Sequence, residues 1–360
     1  EWEEKRDDYP YEIDGMVVKV NNQALQDKLG FTSHHPRWAM AYKFKARQGT
    51  STIQKVQFQV GRVGTVTPVA KIAPVDIGGA TISSVSMFNE DFIKEKDIRE
   101  GDKVMVERAG DVIPYIVKAV KEARDGSEKP IEYPEHCPSC GSKLVRHEGE
   151  AHWMCTNVNC PAQALERMIH FVSKSAMDID GLGEQQIRRF YDLGFLQSIP
   201  DIYRLDYDKI FELEGFGKKS VENLKNAIED SKNRPLDRLL FGLGIRFVGK
   251  TTAKLLARHI TDLEELEQWS QEDLEDLQDV GPVVANSIVA FFRNEQNLAL
   301  VRELKDLGVK TYEKQAEQQV SRKLAGKTFV FTGGLEQFTR DESKEAVEKL
   351  GGKVTSSVSS

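Results

Sequence analysis

The chain has 360 residues, 39% of them hydrophobic and 30% charged, with a formal net charge of -7. This length exceeds what one hydrophobic core ordinarily serves, so roughly two to four domains are expected, and no apolar run approaches the ~18 residues of a membrane span. The acidic balance excludes a surface that binds nucleic acid all over but leaves room for one basic or amide-lined face.

The chain opens on Glu1-Trp2-Glu3-Glu4 without a Met and stops at Val358-Ser359-Ser360 in a segment of strand character, so it is expected to be a piece of a longer protein. Its first part holds an acidic turn feeding a β-branched run, Ile13-Asp14-Gly15-Met16-Val17-Val18-Lys19-Val20, and a second apolar run, Trp38-Ala39-Met40-Ala41-Tyr42-Lys43-Phe44. These predict two strands, too few to fold alone. Lys19 and Lys43 each end or interrupt an apolar strand. A lysine there either snorkels to water or meets an anion such as a nucleotide phosphate, and both readings stand.

From about 50 to 125, short strands alternate with glycine turns. Val56, Phe58 and Val60 share a face, followed by Gly61-Arg62-Val63-Gly64, Val66 to Ile72, Gly78-Gly79 and Val104-Met105-Val106. This spacing predicts a small barrel of the OB type. Arg62, beside Gly61, and Arg108, beside Ala109-Gly110, either offer guanidinium forks to phosphate or lie in solvent as ordinary surface arginines. Val112 and Ile113 either present apolar atoms to a nucleic-acid groove or pack in the core.

All four cysteines fall in one window, Cys137-x2-Cys140-x14-Cys155-x4-Cys160. Two close pairs split by a loop supply four thiolates to a tetrahedral zinc ion, and a closed shell of four makes the ion structural. Pro138, Gly141 and Pro161 provide the turns. Two disulfides in a secreted domain are the alternative, against which stand the single window and the missing apolar leader. A further alternative puts His136, His147 or His152 in place of a cysteine.

Residues 166 to about 312 read as helical and repetitive. Gly181-Leu182-Gly183, Gly215-Phe216-Gly217, Phe247-Val248-Gly249 and Asp279-Val280-Gly281 each precede a helix, and their last glycines stand 34, 32 and 32 positions apart. The region is an array of one supersecondary unit. Val221, Leu224 and Ile228 fall at helical spacing toward a shared core. Glycine before a helix leaves main-chain N–H groups free for an anion, and such donors do not distinguish bases. The array therefore suits duplex backbone without sequence preference. Lys218, Lys219, Lys250 and Thr251 would add contacts, although each taken singly is equally a solvated first-turn residue. The acidic stretch from Asp262 to Asp279 reads as a solvated outer surface. Last comes a β-α-β pattern: strand Lys327 to Thr332, turn Gly333-Gly334, helix Asp341 to Leu350, turn Gly351-Gly352 and a strand from Lys353.

Asp14-Gly15-Met16-Val17-Val18-Lys19 resembles nucleotidyltransferase motif IV, and Trp38 to Phe44 resembles motif V, both in the form found in bacterial NAD-dependent DNA ligases. Gln59-Val60-Gly61-Arg62 in the barrel, the four cysteines, the four hairpins and Lys327-Thr328-Phe329-Val330-Phe331-Thr332-Gly333, similar to the start of a BRCT domain, follow in that family's order. The resemblance covers essentially the whole chain. It implies a multidomain α+β protein: the end of a nucleotidyltransferase (adenylation) sheet over 1–47, an OB β-barrel over 48–128, a small four-cysteine zinc finger over 129–164, an all-α helix-hairpin-helix domain over 165–312 and the start of an α/β BRCT domain, truncated here, over 323–360.

The same resemblance implies that Lys19, Lys43 and Asp14 serve catalysis and that Lys19, Lys43 and Arg6 hold the adenylate. It assigns zinc to Cys137, Cys140, Cys155 and Cys160, and DNA contacts to Arg62, Arg108, Val112 and Ile113, to which the hairpin pattern adds Gly183, Gly217, Gly249 and Gly281. NAD as adenylyl donor, structural Zn2+ and catalytic Mg2+ or Mn2+ are the implied cofactors. Nicked double-stranded DNA, bound without sequence preference, is the implied partner of a monomeric cytoplasmic protein at the nucleoid. The family's nucleophilic lysine lies in a Lys-x-Asp-Gly motif that this chain lacks: Glu12 stands before Ile13-Asp14-Gly15. Self-adenylylation is therefore not expected of this polypeptide alone. A non-catalytic DNA-structure-binding protein of OB, zinc and hairpin modules is the rival reading, set apart by the segments at 11–20 and 37–44, for which a pure binding protein has no use. A BRCT-type interaction scaffold is the third.

Overall fold

The computed structural model describes residues 2, 5, 6, 8–11, 13–32, 35–109, 113–157, 159–313, 324, 327–331, 343, 346, 347, 350 and 352–354. The β-branched run near the start forms an antiparallel ribbon, β1 (Gly15–Lys19) against β2 (Ala39–Lys43), with α1 (Gln23–Leu29) between them. Stiff Val17 and Val18 favour the extended backbone. Gly15 is required by crowding, because a Cβ there would collide with the carbonyl oxygen of Tyr42.

The barrel is built from β3 (Gln48–Val60), β4 (Val66–Ile77), β5 (Ala80–Ser86), α2 (Glu90–Lys96), β6 (Arg99–Glu100), β7 (Lys103–Ala109) and β8 (Ile113–Ala119). Its sheet runs β5-β4-β3-β7-β8, all neighbours antiparallel, and β5 returns beside β8 to close it. A bulge between Ile53 and Lys55 reverses the inward parity of β3, so Ser51 and Ile53 are buried before it and Val56 and Val60 after it. Such a bulge supplies the bend that closure needs. Ile53, Ile72, Ile77, Met87, Val104, Val106 and Ile116 fill the interior.

A buried ion cluster fastens the barrel's end. Asp102 is fully buried and accepts from the Arg99 backbone N–H at 2.7 Å and from Nε and Nη2 of Arg124 at 2.7 and 2.8 Å. Arg124 also reaches Asp97 at 2.8 Å, and its guanidinium holds the Asp97 carboxyl well below the usual carboxylate range. β9 (Lys129–Pro130) then pairs with β6.

The cysteine segment sits on the β3–β4 turn. Gly64 has φ 85, and a Cβ there would collide with the Cys155 carbonyl oxygen. The Cys155 N–H donates to the Gly64 carbonyl at 2.8 Å, the Val66 N–H to Trp153 at 2.9 Å, and the Tyr133 hydroxyl to Val66 at 2.5 Å. Within the segment, β10 (Leu144–Val145) pairs with β11 (Met154–Cys155). Val60 and Val66 of the barrel share a small core with Leu144 and the cysteines.

Helix α3 (Pro161–Val172) starts directly on Cys160, with proline at its first position where no N–H is needed. There follow α4 (Glu184–Asp192), α5 (Tyr207–Phe211), α6 (Lys218–Ser231), α7 (Leu236–Gly242), α8 (Lys250–His259), α9 (Gln271–Glu275), α10 (Pro282–Phe292) and α11 (Glu295–Asp306). One continuous core from Met168 to Val309 unites them, with Leu224 and Ile228 of α6 pointing into it. The acidic stretch expected to be merely solvated is in part an ion-paired seam. Lys305 on α11 meets Asp262 at 3.1 Å and Glu264 at 2.8 Å, and Arg302 meets Glu267 at 3.2 Å. These partners lie more than thirty residues downstream, beyond the reach of a local charge reading.

In the last module β12 (Thr328–Phe329) and β13 (Lys353–Val354) pair in parallel, as a β-α-β unit requires. Thr332, Gly333, Gly334, Gly351 and most of the expected helix at 341–350 lie outside the described residues. No helix among the described residues is long and apolar enough to cross a membrane.

Removing one member of a buried ion pair strands the other without solvent. Asp102→Ala is expected to lower stability by about 3–5 kcal/mol, read as an earlier midpoint in guanidinium denaturation; an unshifted midpoint would mean that the cluster contributes nothing to the barrel.

Candidate metal centre and nucleic-acid interface

The sulfurs of Cys137, Cys140, Cys155 and Cys160 all lie within 4.8 Å of one another, with Cys140–Cys155 at 3.5 Å and Cys137–Cys160 at 3.8 Å. No two are bonded. A tetrahedral zinc ion with bonds of about 2.3 Å sets its sulfur ligands ~3.8 Å apart, so the donor set fits zinc in size and in softness. The disulfide alternative fails on these distances, and no histidine joins the cluster among the described residues. Burial pushes the Cys155 thiol up to about 12 and raises that of Cys137, whereas hydrogen bonding with Ser142 brings Cys140 down to about 6. Buried thiols of this kind give up their protons to a cation.

The four hairpins share one backbone device. The first residue of each hairpin triplet is left-handed: Gly181 at φ 79, Gly215 at 89, Phe247 at 64 and Asp279 at 70. The middle residue is turned inward, with Leu182, Val248 and Val280 buried and Phe216 packed on the core. The last residue, Gly183, Gly217, Gly249 or Gly281, is the extended N-cap of α4, α6, α8 or α10, with φ between -75 and -116. Any residue adopts such angles, and a Cβ at each of the four would meet nothing within 4 Å. The protein's own packing therefore does not demand glycine at these caps.

Capping elsewhere sharpens the contrast. Asn22, Asn89, Asp206, Ser270 and Asn294 each turn a side-chain oxygen onto the first backbone N–H groups of α1, α2, α5, α9 and α11. No side chain caps α4, α8 or α10. Their amides and positive dipole ends remain available to an anion. Lys218, Lys219 and Lys250 are exposed at the first turns, with Thr251 beside Lys250.

On the ribbon, Lys43 stands opposite Gly15 and Lys19 opposite Ala39. The two-residue period puts Lys19 and Lys43 on one face at opposite ends, about 13 Å apart along the strands. Lys43 pairs with Asp14, and that hydrogen bond draws the Asp14 carboxyl below its ordinary range, with Arg6 adding to the effect. Arg6 donates to the Lys45 carbonyl at 3.3 Å and lies over the Phe44 ring. Asp14, Lys43 and Arg6 thus come together, whereas Lys19 stands apart from them.

The barrel residues separate. Arg108 donates to the carbonyls of Ile77 and Gly78 at 3.1 and 2.8 Å. Ile113 is 63% exposed, which removes the core-packing reading for it, and Val112 lies outside the described residues. Arg62 turns toward the helical array: a Cβ on Gly244, at φ 69, would lie 3.5 Å from its Cδ and Nε and 3.4 Å from His170. The Nε2–H of His170 donates to the Phe241 carbonyl at 2.7 Å, and burial keeps the imidazole pKa below the usual value. Sequence reasoning missed this joint, and also Arg246 with Glu150 at 2.9 Å. A glycine at position 244 was its one local signal.

Zinc content is expected to be about one ion per chain. Stripping it with a chelator, or Cys155→Ser, should open the 136–160 segment to limited proteolysis; equal protection with and without metal would remove the structural role of the site.

Comparison with known proteins agrees module by module. Residues 1–47 match the NAD-dependent DNA ligase adenylation domain, 50–128 the NAD-dependent DNA ligase OB-fold domain and 136–162 the NAD-dependent DNA ligase C4 zinc finger domain. Residues 173–230 match a SAM-like helix-hairpin-helix tandem, 238–301 a helix-hairpin-helix motif and 319–360 a BRCA1 C Terminus (BRCT) domain. The chain is 66% identical over 359 residues to a DNA ligase of Persephonella marina and 54% identical over 360 residues to one of Aquifex aeolicus, in both cases across 100% of this chain and 50% of the relative. It is 48% identical over 363 residues to a DNA ligase of Halalkalibacterium halodurans, across 99% of this chain and 54% of that protein. The chain spans about half the length of the curated relatives it matches. Three successive modules described for one kind of ligase, followed by hairpins and a BRCT segment, place the chain in the family of NAD-dependent DNA ligases.

Proposed function

We infer that the whole protein seals single-strand breaks in duplex DNA with NAD as adenylyl donor, and that this chain supplies the part that grips the duplex around the break. One observation carries the reading: four glycines cap four helices where neither backbone angle nor internal packing requires glycine. A residue kept small without an internal reason makes room for something outside, and the free amides of α4, α8 and α10 suit phosphate. Main-chain donors touch the backbone and not the base edges, so binding is independent of sequence. A monomer acting at the nucleoid is part of this reading, as are the divisions 1–47, 48–128, 129–164, 165–312 and 323–360.

The chemistry divides into three displacements at phosphorus. A lysine amine attacks the adenylyl phosphorus of NAD and expels nicotinamide mononucleotide. The 5'-phosphate at the break then takes the AMP, releasing the lysine, and finally the 3'-hydroxyl attacks that 5'-phosphate, releasing AMP and closing the backbone. Each step gathers negative charge on phosphate oxygens, so positioned cations supply most of the stabilisation. Lys43, oriented by Asp14, and Lys19 on the same face of the ribbon are assigned to the adenylate, with Arg6 beside them. Mg2+ or Mn2+ would offset charge on the same oxygens. Arg62, Arg108, Val112 and Ile113 are assigned to the DNA face of the barrel. The attacking lysine is not among these residues, since no Lys-x-Asp-Gly occurs in the chain.

Alanine at Gly183, Gly217, Gly249 or Gly281 is expected to leave the melting temperature within about 1 °C of the parent, because the sites are open, while affinity for a nicked duplex falls severalfold per site and the parent's affinity drops steeply with salt. Undiminished affinity in all four variants would refute the amide-lined interface. In the full-length protein, Lys19→Ala or Lys43→Ala should reduce ligation by about 100-fold or more; normal turnover would make those lysines structural.

A further inference from the structure

The four hairpin tips have one backbone but unlike side chains. The left-handed residue is Gly181 behind Asp180 in the first, Gly215 behind Glu214 in the second, Phe247 behind Arg246 in the third and Asp279 behind Gln278 in the fourth. An acid followed by glycine has thus become a cation followed by an aromatic ring. A bulky L-residue is disfavoured at φ 64, where glycine is not. The turn gains nothing from it, and neither does the core. Phe247 is 49% exposed, while the neighbouring Val248 does the packing.

The ring is nevertheless held in place. The Arg246 guanidinium carbon lies 4.4 Å from its centroid, and both carboxylate oxygens of Glu150 hold the same guanidinium at 2.9 and 3.0 Å. The Arg246 carbonyl accepts from the Ser287 hydroxyl at 2.6 Å, which pins the backbone to α10. Beside the ring stand the open cap Gly249 and exposed Lys250. An apolar ring flanked by cations and free amides is complementary to a groove of duplex DNA, whose deoxyribose walls and base faces are apolar and whose rims are phosphate. The Arg246–Glu150 pair is partly exposed, so exchanging its carboxylate for a phosphate costs little.

We propose that Phe247 is the groove-seated side chain of the third hairpin: its ring lies against sugar and base edges of a broken duplex while Arg246 leaves Glu150 for the adjoining phosphate. This rests on the reading of the hairpin array as a DNA-binding face. The test uses the zinc-loaded full chain and a nicked, 5'-phosphorylated duplex of mixed sequence, followed by fluorescence anisotropy. Phe247→Gly relieves the backbone, so its melting temperature should equal or exceed the parent's while affinity falls at least about fivefold with an unchanged salt slope. Phe247→Trp should keep affinity within about twofold and show a duplex-dependent change in emission that the parent lacks. Glu150→Gln frees Arg246 and should tighten binding and steepen the salt slope by about one counterion. Binding by Phe247→Gly equal to the parent's, a large loss of its thermal stability, or an indole emission in Phe247→Trp that does not respond to the duplex would each overturn the proposal. Failure of the parent itself to bind would instead overturn the reading of the array.

Discussion

The contact on which the arrangement of modules depends is the seating of Cys155 on Gly64. No other residue type fits at position 64, because a Cβ would strike the Cys155 carbonyl oxygen. The same Cys155 is one of the four thiols, and Cys160, another, begins the first helix of the array. One small cluster therefore fixes the barrel on one side and the helices on the other. Ties around it run both ways: Arg146 meets Asp91 and the Trp153 indole donates to Glu90 at 2.9 Å on the barrel, while Glu150 meets Arg246 on the array. Gln163, inside α3, holds the Cys155 and Asn157 carbonyls at 2.9 and 3.1 Å. A metal centre closed by four thiolates does no chemistry of its own, and its contribution is geometric.

Arg62 occupies the second joint. Its Nε is buried with no hydrogen-bond partner among the described residues, beside Gly244 and a His170 whose pKa burial lowers. Desolvating a guanidinium edge without a partner is unfavourable. The turn carrying Arg62 also carries Gly64, so the cationic side chain and the backbone seat of the metal module move as one piece. In the proposed function, the barrel's reach toward a duplex is set by this turn.

Much of this was legible from residue types alone, because local chemistry governs it. Thiol spacing announced the metal centre, and the near-constant interval of Gly183, Gly217, Gly249 and Gly281 announced the array. Alternation around Val56, Phe58 and Val60 announced a barrel strand. What stayed hidden depends on contacts between distant segments. Gly61 and Gly64 look alike in the chain, yet only at Gly64 would a Cβ collide with another backbone segment. The acids at Asp262, Glu264 and Glu267 look solvated until α11 brings Arg302 and Lys305 against them. Residue type alone did not reveal that Nη1 of Arg108 also reaches the Ile77 and Gly78 carbonyls, about thirty residues earlier in the chain.

The left-handed positions of the hairpins set one of the four apart. Glycine occupies that position at rest in the first pair and Asp279 tolerates it in the fourth, whereas Phe247 holds it against its own preference, at a cost of about 1–3 kcal/mol. A common core over-determines those turns and keeps them bent. The third hairpin is consequently sprung and the others slack, so loosening of the helical core would let that hairpin recoil first.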